Sequence, residues 1–110
     1  AKTLFPYTTL FRSRNIRKIG AQGHFDGTCQ ETVPMALRCF MDANSFEDTI
    51  RLAVLCDGDT DTKACIAGAV AEAYYEIPEK MEEKAFSYLP DDMLEVLSQF
   101  YDRIQLDINK

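Results

Sequence analysis

The sequence predicts an all-α chain, and three observations carry that prediction. Apolar residues recur at three- and four-residue steps in successive stretches between Val33 and Ile104. Pro34, Gly58, Pro78 and Pro90 fall where such stretches begin or end. No comparable stretch alternates apolar and polar residues with period two, the pattern a half-buried strand requires.

Taken in order, Arg14 to Gln30 carries Gly20, Gly23 and Gly27 beside Asp26, lacks a sustained helical period and predicts a loop. A first helix follows, with Thr32 as N-cap and Pro34 in the first turn, where a missing N–H is harmless. Its apolar stripe is Val33, Leu37, Phe40 and Met41. Ser45 followed by Asp48 forms a capping-box variant that opens a second helix with Phe46, Ile50, Ala53 and Val54 inward. That helix runs into Asp57-Gly58, where glycine takes the positive φ that ends a helix and turns the chain back. A third helix runs from near Asp59 to about Tyr75 with Ile66, Val70, Ala73 and Tyr74 inward. Pro78 starts a short helix through Phe86. Pro90 opens a last one carrying Met93, Leu94, Leu97, Phe100, Tyr101 and Ile104.

Thr3 to Ser13 is, residue for residue over eleven positions, the translation of the end of a common sequencing-library adapter. Residues 1–13 are therefore read as an artefact, although Leu4, Phe5, Tyr7, Leu10 and Phe11 would suit a strand. Residues 14–110 are then a single partial helical domain, expected to begin within a larger gene product because no Met precedes Met35. A chain of that size buries somewhat over ~60% of its unfolded surface, enough for a modest core. Without Lys2 and Arg12, ten of the twelve basic residues remain against eighteen acidic ones, a formal charge of −8. Nucleic acid and anionic membrane surfaces are repelled by such a chain, and cations are its natural small partners. No run approaches the length of a membrane span.

Cys29, Cys39, Cys56 and Cys65 form no CxxC pair, which fits reduced, mostly buried thiols and a cytoplasmic protein. With His24 as the one histidine, a zinc site lacks its ligands.

The densest chemistry is Asp57-Gly58-Asp59-Thr60-Asp61-Thr62, three carboxylates and two hydroxyls at the entry to a helix. A hard cation neutralises their repulsion. Asp59 and Asp61 point to one side, and Thr62 adds a neutral oxygen. A magnesium-type ion takes about six oxygens, so these residues supply half a site and leave positions for water or substrate. Behind them Ala64, Ala67, Gly68 and Ala71 give the helix one face of little bulk, and a mid-helix glycine costs roughly 0.8–1 kcal/mol unless its size is used.

Three plainer readings compete. One of the acidic residues caps the helix and complements its dipole, which needs a single residue rather than a cluster. A helix-loop-helix calcium site would place Asp57, Asp59 and Asp61 at positions 1, 3 and 5, but Thr62 stands where it needs Gly and Gly68 where it needs Glu. The third is a solvated acidic turn.

Gly58-Asp59-Thr60-Asp61-Thr62, with Ala64, Ile66-Ala67-Gly68 and Ala71-Glu72-Ala73-Tyr74-Tyr75 behind it, resembles the C-terminal metal motif of the ADP-ribosylglycohydrolases. Thr28-Cys29-Gln30-Glu31-Thr32-Val33-Pro34 is similar to that family's SCQGSVP segment, and Ser45-Phe46-Glu47-Asp48-Thr49-Ile50-Arg51 to its SFEDAIR helix. The three blocks occur in the family's order and cover most of residues 14–110. The resemblance implies the C-terminal part of an all-α helical bundle, a hydrolase that removes ADP-ribose from modified proteins or small ADP-ribosyl substrates with two Mg2+ ions. It maps the metal ligands onto Asp59, Asp61 and Thr62. The remaining ligands and the acidic residue acting on the N- or O-glycosidic bond belong to a Thr-Asp-Asp segment of the family's N-terminal half, so the chain alone is expected to be inactive. Asp57, Lys63 and Glu76 depart from the family pattern, adding a negative, a positive and a negative charge near the motif. The rival class is a non-catalytic helical module that binds a divalent cation or a protein partner.

Other residues are weighed as follows. His24 is a surface histidine or touches substrate, Cys29 is a packed thiol rather than a nucleophile, and Gln30 stands behind the site. Tyr74, Tyr75, Phe86, Phe100 and Tyr101 sit at core spacing. Glu79, Glu82 and Glu83 form a solvated face.

Overall fold

A computed structural model describes residues 27–56 and 58–108. The readings of residues 1–13, His24 and Asp57 lie outside the described residues. Among the described residues five helices follow in order: α1 (Cys29–Asp42), α2 (Phe46–Leu55), α3 (Thr60–Tyr74), α4 (Glu79–Phe86) and α5 (Asp91–Ile108). Among the described residues there is no strand, so the all-α expectation holds. None of the described helices is long and apolar enough to cross a membrane. The chain divides into two compact units, one ending at Ile77 and the other beginning at Pro78.

In the first unit α1, α2 and α3 pack on one another around Met35, Ala36, Cys39, Ala53, Cys56 and Ala67. Most of these side chains are small, so the helices approach closely and the core is tight rather than large. On α1 the buried positions are Thr32, Met35, Ala36 and Cys39, while Val33, Leu37, Phe40 and Met41 lie half-buried beside them. The stripe expected from the larger apolar residues is therefore rotated from the one that packs. Thr32 is not the N-cap. The helix begins one turn earlier at Thr28, whose carbonyl accepts from the N–H groups of Glu31 and Thr32 at 3.3 and 2.9 Å. Pro34 thus lies inside the helix and donates no bond to the carbonyl of Gln30.

The start of α2 follows its sequence signal. Ser45 Oγ accepts from the N–H of Asp48 at 3.0 Å, and Asp48 Oδ2 accepts in return from the N–H of Asn44 at 3.0 Å. The reciprocal bond lands one residue earlier than in a full capping box, on the N–H of Asn44 rather than that of Ser45. Thr49 and Ala53 are its buried residues, and Val54 is exposed. On α3 the inward face is Lys63, Ala67, Gly68 and Ala71. Ile66 and Val70 are half-buried and Ala73 and Tyr74 exposed, so the low-bulk face is the packed one. Tyr75, just past α3, donates its hydroxyl to the carbonyl of Ala43 at 3.0 Å, and its ring meets Phe40 and Tyr74 edge to face. Tyr74 is a half-exposed flank of that cluster rather than core.

In the second unit Pro78 and Pro90 act as expected. The Pro78 carbonyl accepts from Met81 and Glu82, and that of Pro90 from Met93 and Leu94, so each proline sets the φ of a helix entry without forfeiting a needed donor. Glu79, Glu82 and Glu83 are exposed, as a solvated face requires. Leu94, Leu97 and Ile104 are half-buried, whereas Met93, Phe100 and Tyr101 are largely exposed.

Candidate metal centre

The acidic segment is shaped by the end of α2. The N–H of Cys56 closes that helix on the carbonyl of Leu52 at 3.1 Å. Gly58 then adopts φ 96°, the left-handed conformation expected of it. The N–H of Thr60 reaches back to the carbonyl of Gly58 at 2.9 Å, with Asp59 between them at φ −77° and ψ 71°. These angles and that bond define an inverse γ-turn centred on Asp59. The first bond of α3 follows at once, from the N–H of Lys63 to the carbonyl of Asp59 at 3.1 Å.

Asp59 occupies the N-cap position, yet its side chain makes no capping bond. Asp61 supplies what local satisfaction there is, its Oδ1 accepting from the N–H of Thr62 at 2.9 Å. The Asp61 carboxyl is held below the usual carboxylate range, first by a side-chain hydrogen bond with Asp59, then by the N–H groups of Thr62 and of Asp61 itself. The reading of a single cap residue accounts for neither observation. Asp61 and Thr62 are exposed, Asp59 and Thr60 half-buried, so the pair opens outward from the start of α3. The positive end of the helix dipole favours their charge.

The donor set suits a small hard cation, with two carboxylates two residues apart and a threonine following each. It does not complete a site. Among the described residues no group of three or more His, Cys, Asp and Glu side chains is placed to hold a metal.

Lys63, whose positive charge departs from the family pattern, is buried, 6% exposed on the inward face of α3. There its charge acts on the thiol of Cys39. Behind it Gly68 meets α2 so closely that an added Cβ would stand 2.9 Å from Ile50 Cδ1, which explains a glycine in mid-helix. Cys29 and Gln30 lie exposed in the first turn of α1, so Cys29 is not a packed thiol. Cys65 is exposed as well. Cys39 and Cys56 are buried, with their Sγ atoms 3.6 Å apart. That pairing, between residues far apart in sequence, has no local signature that a reading of the chain would find.

The chain matches the family model of ADP-ribosylglycohydrolase over residues 6–109. It is similar to the ADP-ribosylhydrolase ARH3 of Homo sapiens, 35% identical in an alignment 78 residues long that covers 58% of this chain and 22% of the human protein. The proteins of that name from Bos taurus and Mus musculus are 35% and 33% identical over the same length, each covering 58% of this chain and 21% of the relative. The chain thus spans about a fifth of the length of the curated relatives it matches. No solved structure gives a significant match.

Proposed function

The chain belongs to the ADP-ribosylglycohydrolase family, and from that premise we propose that it is part of a magnesium-dependent hydrolase that cleaves ADP-ribosyl glycosidic bonds. Asp59, Asp61 and Thr62 contribute ligands to two magnesium ions, and the remaining ligands come from polypeptide outside residues 27–108. The substrate is an ADP-ribosylated protein or a small ADP-ribosyl compound. Residues 14–110 are a part of that enzyme and lack turnover by themselves.

One observation carries this reading: Asp59, at the N-cap position and two residues before the exposed Asp61, makes no side-chain capping bond to the helix it precedes. When bound, magnesium supplies Lewis-acid polarisation of substrate oxygens and acidifies a water molecule. The chain's own residues do the positioning. The γ-turn fixes Asp59 relative to α3, the bond from the N–H of Thr62 fixes Asp61, and its lowered pKa keeps Asp61 ionised at neutral pH. The small face of α3 sets that helix close against α2, which holds the turn at a defined place on the bundle.

The second reading is a non-catalytic helical module. It is favoured by the lack, among the described residues, of a third acidic, histidine or cysteine ligand. The two separate in one assay on the polypeptide extended to the length of its relatives. Release of ADP-ribose from an ADP-ribosylated peptide is expected to stop on chelation, and to fall at least ~100-fold in Asp59→Ala and Asp61→Ala, the scale of a lost metal contribution of several kcal/mol. Undiminished magnesium binding without turnover supports the module.

A further inference from the structure

We propose that Cys39 and Cys56 are a redox-responsive pair, which a peroxide converts to a disulfide joining α1 to the residue that caps α2. The sulfurs already touch at 3.6 Å, and both residues are buried, 0% and 2% exposed, in the cluster that binds α1, α2 and α3 together. A disulfide needs them at about 2.05 Å, a closure of roughly 1.5 Å. Cys56 lies outside the last turn of α2, where the backbone is not held on both sides by helix.

The chemistry balances with one equivalent of hydrogen peroxide. One sulfur attacks the O–O bond, becoming a sulfenic acid as water leaves. The other sulfur then attacks it, the S–S bond forms and a second water departs with the remaining thiol proton. The two thiols lose two electrons and the peroxide gains them. The hydrogen bond with Cys56 comes first in pushing the Cys39 pKa up, burial second, and the nearby Lys63 charge acts the other way. Oxidation is accordingly slow, and the pair stays reduced until an oxidant persists. Once formed, the disulfide ties α1 to a point two residues before Gly58, at the base of the turn that presents Asp59.

The test uses the double variant Cys29→Ser/Cys65→Ser, which removes the two exposed thiols and leaves only the buried pair. After excess hydrogen peroxide and alkylation in denaturant, the expected product is monomeric, unalkylated and, once the oxygens added to methionine are discounted, lighter by about 2 Da. Dithiothreitol is expected to restore two alkylatable thiols. Two thiols that persist, or separate oxygen additions without a cross-link, overturn the proposal. In the unsubstituted chain, trypsin cuts after Arg38, Arg51 and Lys63 and places Cys39 and Cys56 on different peptides. A cross-linked pair of those peptides supports the proposal even if the variant folds poorly. Intramolecular cross-links that instead join either cysteine to Cys29 or Cys65 overturn it.

Discussion

Ile50 Cδ1 occupies the space that any side chain at Gly68 would need: a Cβ built there stands 2.9 Å from it. The contact sets how closely α2 and α3 approach. Gly68→Ala gains about 1 kcal/mol of helix propensity. It also forces Ile50 from its rotamer at a cost of about 0.5–1.5 kcal/mol. The two nearly cancel, and urea unfolding is expected to place the variant within ~1 kcal/mol of the parent. Gly68→Leu has no such escape and is expected to destabilise by about 1–3 kcal/mol. Combining Gly68→Ala with Ile50→Val, which removes the obstructing methyl, should recover stability relative to Ile50→Val alone.

The Ser45–Asp48 cap makes a second prediction. Ser45→Ala removes the acceptor for the N–H of Asp48 at 3.0 Å and is expected to cost about 1 kcal/mol. Hydrogen exchange at Asp48 should accelerate with it. An unchanged exchange rate there would mean that the hydroxyl does not hold the helix start in solution.

Tyr75→Phe deletes the hydroxyl bonded to the carbonyl of Ala43 while leaving the ring against Phe40. About 0.5–1.5 kcal/mol is expected from the lost bond. Tyr75→Ala, which also removes the edge-to-face contacts, should cost clearly more in the same denaturation experiment.

Asp61 should titrate below the usual carboxylate range, held there first by side-chain hydrogen bonding with Asp59 and then by the N–H of Thr62. A carboxyl whose folded pKa is depressed contributes stability that is present above the unfolded value near ~3.9 and is lost as pH falls through the folded value. Carbon-detected NMR should find this low midpoint, and Asp59→Ala should move it upward. A midpoint that stays put would mean that the two side chains do not meet in solution.

The helix starts at Ser45, Pro78 and Pro90, and the positive φ of Gly58, were legible in the sequence because each depends on the chemistry of one residue and its immediate backbone, although α2 itself ends earlier, on an extended C-cap at Cys56. The start of α1 was not. Thr32 with Pro34 imitates a helix entry, while the real one at Thr28 uses only a backbone carbonyl and leaves no side-chain signature. The packed faces were hard to read for a different reason. Hydropathy favours Val33, Leu37, Ile66 and Val70, yet close approach favours Ala36, Cys39, Ala67 and Gly68, and in this bundle close approach wins. The bulk argument at Gly68 did foresee which face of α3 would pack, because a glycine kept in mid-helix is a steric signal rather than a hydropathic one. At the site, the acidic spacing led to Asp59 and Asp61. The burial of Lys63 and the meeting of Cys39 with Cys56 depend on tertiary placement that local patterns do not encode.

The central claim is that the turn from Gly58 to Thr62 exists to hold a divalent cation. Magnesium titrated into the chain, followed by amide NMR, tests it most directly. Weak, saturable shifts centred on Asp59, Asp61 and Thr62, and lost in both Asp59→Ala and Asp61→Ala, are the expected result. Saturable shifts that survive both substitutions, or that centre elsewhere on the bundle, would contradict it.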